Sequence, residues 1–123
     1  MSRILVIDDE MFIRRLMDLV LTRRGHEVLA ASSAQEGLLV MQRERPDLVT
    51  CDLFMPEHSG LEFLERKAEL PEFAAIPVIV ITAAGLRADL DRALELGASA
   101  ALSKPFSEQQ LAHAIETALG SRP

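Results

Sequence analysis

Five times along this chain a short apolar run gives way to a longer stretch whose apolar residues recur at helical spacing. This alternation constrains the fold more than any other feature. Strands separated by helices pair in parallel, and right-handed crossovers lay the helices on both faces of the sheet. Ile4-Leu5-Val6-Ile7 is apolar without alternation, the pattern of a strand covered on both faces. A helix is predicted from about residue 10 to 24, with Phe12, Leu16, Leu19 and Val20 in phase and Gly25 just past its end. Glu27–Ala31 reads as the second strand. Ser33 and Glu36 form a capping box for a helix that runs to about Glu44 and is stopped by Pro46. The third strand is Asp47–Cys51, and Ser59 with Glu62 opens a helix that closes before Pro71. Ile76–Thr82 is the strongest strand, its proline lying at the start, where a missing donor is tolerated. Leu86, Leu90 and Leu94 mark the fourth helix, ended by Gly97. A short strand at Ala100–Leu102 precedes a last helix capped by Ser107 and Gln110 and lined by Leu111, Ile115 and Leu119. The expected fold is a doubly wound α/β sheet.

A length of 123 residues suits one domain, taken here as 1–123. The formal net charge of −6 argues against non-specific nucleic-acid binding and against an anionic membrane surface, both of which need basic residues. Cys51 is the only cysteine, which excludes an internal disulfide and a cysteine-rich zinc site. The apolar run before Asp8 is too short for a signal peptide or a membrane span, so a soluble cytoplasmic domain is expected.

Ligands of an open parallel sheet bind outside the carboxyl ends of its strands. The polar residues that fall there are Asp8 and Asp9 after the first strand, Asp52 after the third, Thr82 ending the fourth and Lys104 after the fifth. Each has an ordinary reading when taken singly: a helix N-cap for the first pair, a turn former, a β-branched strand residue, a solvated lysine. Those readings do not explain why all of them share one edge. Carboxylates gathered there repel, by about 4 kcal/mol for unit charges about 4 Å apart at an effective dielectric near 20. A divalent cation and the Lys104 ammonium would compensate. Oxygen-only donors favour a hard ion, Mg²⁺, and Mg²⁺ in turn favours a phosphoryl co-ligand.

At these positions the sequence resembles the receiver domain of two-component response regulators, and single-domain chemotaxis-type regulators among them. The resemblance is carried by Val6-Ile7-Asp8-Asp9-Glu10, Asp52-Leu53-Phe54-Met55-Pro56 with Gly60, Thr82-Ala83-Ala84, Gly97-Ala98 and Lys104-Pro105-Phe106, and covers nearly the whole chain. It implies a flavodoxin-like (βα)5 fold with strand order 2-1-3-4-5. It also implies that Asp52 is the phosphoacceptor, that Asp9 binds Mg²⁺ directly and Asp8 mainly through water, and that the Phe54 backbone carbonyl is a further metal ligand. Lys104 and the Thr82 hydroxyl would each contact a phosphoryl oxygen, and the Lys104–Pro105 peptide would be cis. Leu102, two residues before the lysine, would repack as Thr82 moves, without the ring that many receivers carry. The implied partners are a histidine kinase or histidine phosphotransfer protein and a downstream protein or C-terminal effector domain, with no direct contact to nucleic acid or membrane.

Three other readings compete. An aspartyl-phosphate phosphatase of the haloacid dehalogenase type would need a second acid where Phe54 stands. A flavin-phosphate site would be repelled by Asp8-Asp9-Glu10. A degenerate receiver acting as a constitutive protein-binding module would not need the complete set of acids, Thr82 and Lys104. Cys51 is expected to be a buried, inert thiol, and His26, His58 and His113 follow no metal-ligand spacing. Met11, Met17, Met41 and Met55 are expected as core filler or loop anchors.

Overall fold

The computed structural model describes residues 2–55, 59–83 and 87–120. The elements alternate as expected: β1 (Arg3–Ile7), α1 (Met11–Arg23), β2 (Glu27–Ala31), α2 (Ala34–Glu44), β3 (Leu48–Asp52), α3 (Gly60–Ala68), β4 (Val78–Thr82), α4 (Arg87–Glu95), β5 (Ala100–Ser103) and α5 (Glu108–Gly120), with one 3-10 turn at Pro71–Phe73. The five strands form one sheet in the order β2-β1-β3-β4-β5, and all four neighbouring pairs are parallel. The fold is doubly wound and flavodoxin-like, with the strand order the resemblance implied. Leu86, expected in the fourth helix, and His58 lie outside the described residues.

Alternation along the strands divides the core in two. Leu5, Ile7, Val49, Cys51, Val78 and Val80 point to the face covered by α2, α3 and α4, where they pack with Met41, Phe63, Leu64 and Ala93. Ile4, Val6, Leu48, Ile79 and Ile81 point to the face covered by α1 and α5, against Met17, Leu21, Leu111 and Ile115. Each central strand therefore feeds two apolar layers, which is why its sequence is a continuous apolar run.

The seat of α1 differs from expectation. Met17 and Leu21 are its buried residues, whereas Phe12 is 74% exposed and Leu16 and Leu19 are also exposed. Helical period identifies a helix, but apolar residues all round α1 leave its core-facing side undetermined by pattern alone. Leu102 lies in the layer away from α4. It packs with the α1–α5 cluster, while Ala101 packs with the other. Ala101, and not Leu102, is therefore the β5 residue on the α4 side of the sheet.

The helix starts are capped by the expected serines. Ser33 Oγ accepts from Glu36 N–H at 3.1 Å, Ser59 Oγ from Glu62 N–H at 3.3 Å, and Ser107 Oγ from Gln110 N–H at 3.0 Å. The last of these boxes closes reciprocally on its own cap, Ser107 N–H donating to Gln110 Oε1 at 2.8 Å. Glu36 instead reaches one residue further back and accepts from Ser32 N–H at 2.6 Å. Gly97 follows α4 at φ 103°, a left-handed conformation that lets its N–H return to Leu94 and that of Ala98 return to Ala93.

Candidate functional site

The carboxyl ends of β1, β3, β4 and β5 meet at one edge, and the turns that follow them position the polar residues. After β1 the chain turns under Asp8, whose N–H donates to the Ala31 carbonyl at 3.1 Å. Its own carbonyl accepts from Arg14 Nη1 at 2.7 Å, and its Oδ1 from the Glu10 N–H at 2.9 Å. Asp8 is thus tied at the backbone and at one carboxylate oxygen, and is only 3% exposed. Asp52 is the last residue of β3 and 5% exposed. Its Oδ1 accepts from the Phe54 N–H at 3.1 Å.

Lys104 reaches in from the end of β5 and joins the two acids. Its Nζ lies 3.3 Å from Asp8 Oδ2, 3.4 Å from Asp52 Oδ2 and 3.9 Å from Glu10 Oε1. The Lys104 N–H donates to the Thr82 carbonyl at 2.7 Å, tying the lysine's own backbone to the end of β4. The Lys104–Pro105 peptide bond is cis. Thr82, 1% exposed, stands one residue beyond Ile81, the register partner of Asp52.

Gly60 supports the floor of this site. Its N–H donates to the Leu53 carbonyl at 3.0 Å, and a Cβ built on it would lie 2.5 Å from the Asp52 carbonyl oxygen. Only a residue without a side chain allows α3 to begin this close to the backbone of Asp52.

The electrostatics follow from burial. Desolvation pushes the Asp52 carboxyl above the usual carboxylate range, and the Phe54 N–H and Lys104 only partly offset it, while Asp8 adds to the rise. Burial also pulls the Lys104 ammonium down, but the charges and hydrogen bonds of Asp52 and Asp8 outweigh it, so its pKa is raised. The site therefore holds a firmly protonated lysine between two acids. Cys51, on the opposite side of β3, is buried, and burial pushes its thiol up further than the nearby Asp52 and Asp8 do. It is inert as a nucleophile.

Asp8, Asp52, Thr82 and Lys104 all lie where the strand-end rule placed them. Asp9 is exposed and does not join them. The carboxylates that converge among the described residues are Asp8, Glu10 and Asp52, with one oxygen of each within 4.8 Å of the others. Phe54 is 45% exposed and contributes its N–H to Asp52. Glu10 and Arg14 were not assigned from sequence. Glu10 belonged to a visible acidic run, but which member of that run turns inward is decided by the β1–α1 turn. Nothing in the pattern singles out Arg14.

The family described as the response regulator receiver domain matches residues 4–116. The chain belongs to this family. It is 40% identical over 118 residues to the probable transcriptional regulator ycf27 of Pyropia yezoensis, covering 96% of this chain and 47% of that protein. It is 32% identical over 120 residues to the probable chemotaxis protein CheY of Rhizobium etli, covering 97% of this chain and 93% of that one. A response regulator receiver domain protein from Clostridium thermocellum superposes with a TM-score of 0.89 at 36% identity, covering 98% of this chain and 95% of that one. The chain spans about half the length of the ycf27 relatives it matches.

This receiver domain is a two-component phosphorelay module, a signalling domain and not a conventional enzyme. Receiver domains bind Mg²⁺ at an acidic pocket, and the oxygen donors of Asp8, Glu10 and Asp52 make one of the right chemistry for a hard cation. Among the described residues, no helix is long and apolar enough to cross a membrane.

Proposed function

We propose that Asp52 is the phosphoacceptor of this receiver and that its phosphorylation switches a protein-interaction surface. The observation that carries the reading is the setting of its carboxylate. It is buried at the strand edge, held through Oδ1 by the Phe54 N–H and turned through Oδ2 toward Lys104, with Asp8 alongside. In the reaction an Asp52 carboxylate oxygen attacks the phosphorus of a phosphohistidine. The P–N bond breaks, the imidazole leaves with its electron pair, and an acyl phosphate forms. Lys104 neutralises charge on the equatorial oxygens, and the Thr82 hydroxyl donates to one of them. Asp8, Asp9, Asp52 and the Phe54 carbonyl are the residues that would hold Mg²⁺. When bound, that ion supplies electrostatic stabilisation of the transferring phosphoryl group. The chain promotes its own phosphorylation and dephosphorylation by these groups.

The donor is a histidine kinase or histidine phosphotransfer protein. The output goes to a downstream protein or to a C-terminal effector domain of the kind that the longer ycf27 relatives leave room for. The site of action is the cytoplasm, where such kinases present their phosphohistidine. The added phosphoryl group brings roughly two negative charges to the edge, judged from phosphorylated hydroxyls. Motion of Thr82 toward it biases a surface with two pre-existing arrangements.

Intact-mass spectrometry after incubation with acetyl phosphate tests this. One phosphoryl adduct that requires both Mg²⁺ and Asp52, and is absent from Asp52→Asn, is expected. No adduct in the wild-type chain, with acetyl phosphate or with a phosphohistidine donor, would mean a degenerate receiver acting as a constitutive binding module. An adduct that persists in Asp52→Asn would assign the nucleophile elsewhere.

A further inference from the structure

Glu10 occupies the N-cap position of α1, with extended backbone at φ −88° and ψ 116°, but its side chain makes no capping hydrogen bond. N-cap residues ordinarily turn an oxygen toward the helix's unpaired N–H groups. Here the carboxylate turns the other way, and Oε1 stands 3.9 Å from Lys104 Nζ. The ammonium thus faces three acids, two buried and one, Glu10, with its side chain 61% exposed at the mouth of the site.

We infer that Glu10 is a positioning residue that competes for Lys104 and so sets how strongly the lysine can engage a phosphoryl group on Asp52. The inference rests on the reading of Asp52 as phosphoacceptor. Once Asp52 carries the phosphoryl group and Asp8 faces a metal ion, both nearer partners of Lys104 have changed role. Among the described residues, Glu10 is then the remaining carboxylate within ion-pair reach of Nζ. Its pull opposes the movement of Lys104 onto the equatorial oxygens, where the lysine lowers the barrier to transfer. The pair is long and open to solvent on the Glu10 side, so the effect is a tuning of rate and not a block. Charge and reach separate cleanly at this position. Gln removes the charge at constant length, whereas Asp keeps the charge but withdraws it by one methylene from Lys104.

The experiment is a double-mutant cycle read by intact mass, as the initial rate of adduct formation from acetyl phosphate at saturating Mg²⁺. Glu10→Gln is expected to raise the rate roughly two- to fivefold in the Lys104 chain, the range such a pair allows. It should change the rate by less than about twofold in Lys104→Ala, where there is no lysine to release. Glu10→Asp should resemble Glu10→Gln. An equal acceleration in both backgrounds would overturn the inference in favour of simple repulsion of the anionic donor. A slower reaction with a raised Mg²⁺ requirement would overturn it by making Glu10 a metal ligand, and an unchanged rate in the Lys104 chain would overturn it outright. Failure of the wild-type chain to form any adduct would instead refute the phosphoacceptor reading itself.

Discussion

Lys104 Nζ lies 3.4 Å from Asp52 Oδ2 and 3.3 Å from Asp8 Oδ2. One ammonium therefore bridges two carboxylates that come from different strand ends and are both nearly out of solvent. Its charge offsets part of the cost of holding them there. Lys104→Ala leaves two buried acids facing each other, so metal-free protein should lose several degrees of Tm. The same change removes a competing positive charge, and Mg²⁺ should bind about tenfold more tightly. Calorimetric titration with Mg²⁺ and thermal melts in chelator read both effects. Weaker Mg²⁺ binding in the variant would show that the lysine organises the acids more than it competes for them.

Asp52 gives a pH dependence of defined sign. Burial raises its folded-state pKa above the unfolded value. The folded chain then binds more protons than the unfolded one across the window between the two values, so the stability contributed by this group falls as pH rises through it. Above that window the penalty of a buried charge is constant. Asp52→Asn should accordingly melt higher than wild type in metal-free buffer at neutral pH, and the difference should shrink as pH falls toward about 4, the unfolded carboxylate value. Added Mg²⁺ should narrow the gap by stabilising the wild type more. Melts of both proteins from about pH 4 to about pH 8 check this, and a variant less stable than wild type at neutral pH would contradict it.

Much of this architecture was legible because each central strand feeds two apolar layers. Ile4 to Ile7 and Val78 to Ile81 could belong to little else than strands covered on both faces. Asp8, Asp52, Thr82 and Lys104 were legible for a related reason. Their strands end beside one another, so adjacency in space follows from position in the alternation. What escaped sequence reasoning depends on rotation about an axis. Period alone did not say that α1 seats Met17 and Leu21 while presenting Phe12 and Leu19 to solvent, nor that Leu102 faces α5. That Glu10 lies beside Asp8 and Asp52 has the same origin, a single turn whose dihedral angles no spacing rule specifies.

Gly60 should be intolerant of any side chain. An added Cβ would meet the Asp52 carbonyl oxygen at 2.5 Å and the Leu53 Cα at 3.0 Å, both backbone atoms that cannot step aside alone. Gly60→Ala must therefore move the start of α3 away from β3 or displace Asp52. The expected cost is about 1–3 kcal/mol of stability, as for overpacking. The rate of adduct formation should fall as well, because Asp52 Oδ1 is aimed by the Phe54 N–H within the same segment. Denaturant unfolding and intact-mass rates on one preparation read the two consequences. Loss of stability with an unaltered rate would mean that the helix moves and the acid does not.

Lys67 offers the opposite experiment, a substitution expected to stabilise. It falls on the buried stripe of α3 with Gly60, Phe63 and Leu64, one helical turn beyond the two large apolar residues. It is 8% exposed, and its Nζ donates to the Ala74 carbonyl at 3.4 Å, a long bond for a buried ammonium. Burial lowers its pKa below the ordinary lysine value. Between the lowered and the ordinary value the unfolded chain binds more protons than the folded one, so this group's contribution to stability improves as pH rises through that window. Below it the desolvation penalty is present in full. Lys67→Met keeps the unbranched shape and removes the charge, and should raise Tm by a few degrees at pH about 7. The gain over wild type should shrink toward pH about 10, where the wild-type lysine sheds its proton on folding. Melts of the two proteins at both pH values decide the matter. A lower Tm for Lys67→Met at neutral pH would show that the bond to Ala74 outweighs the cost of burying the charge.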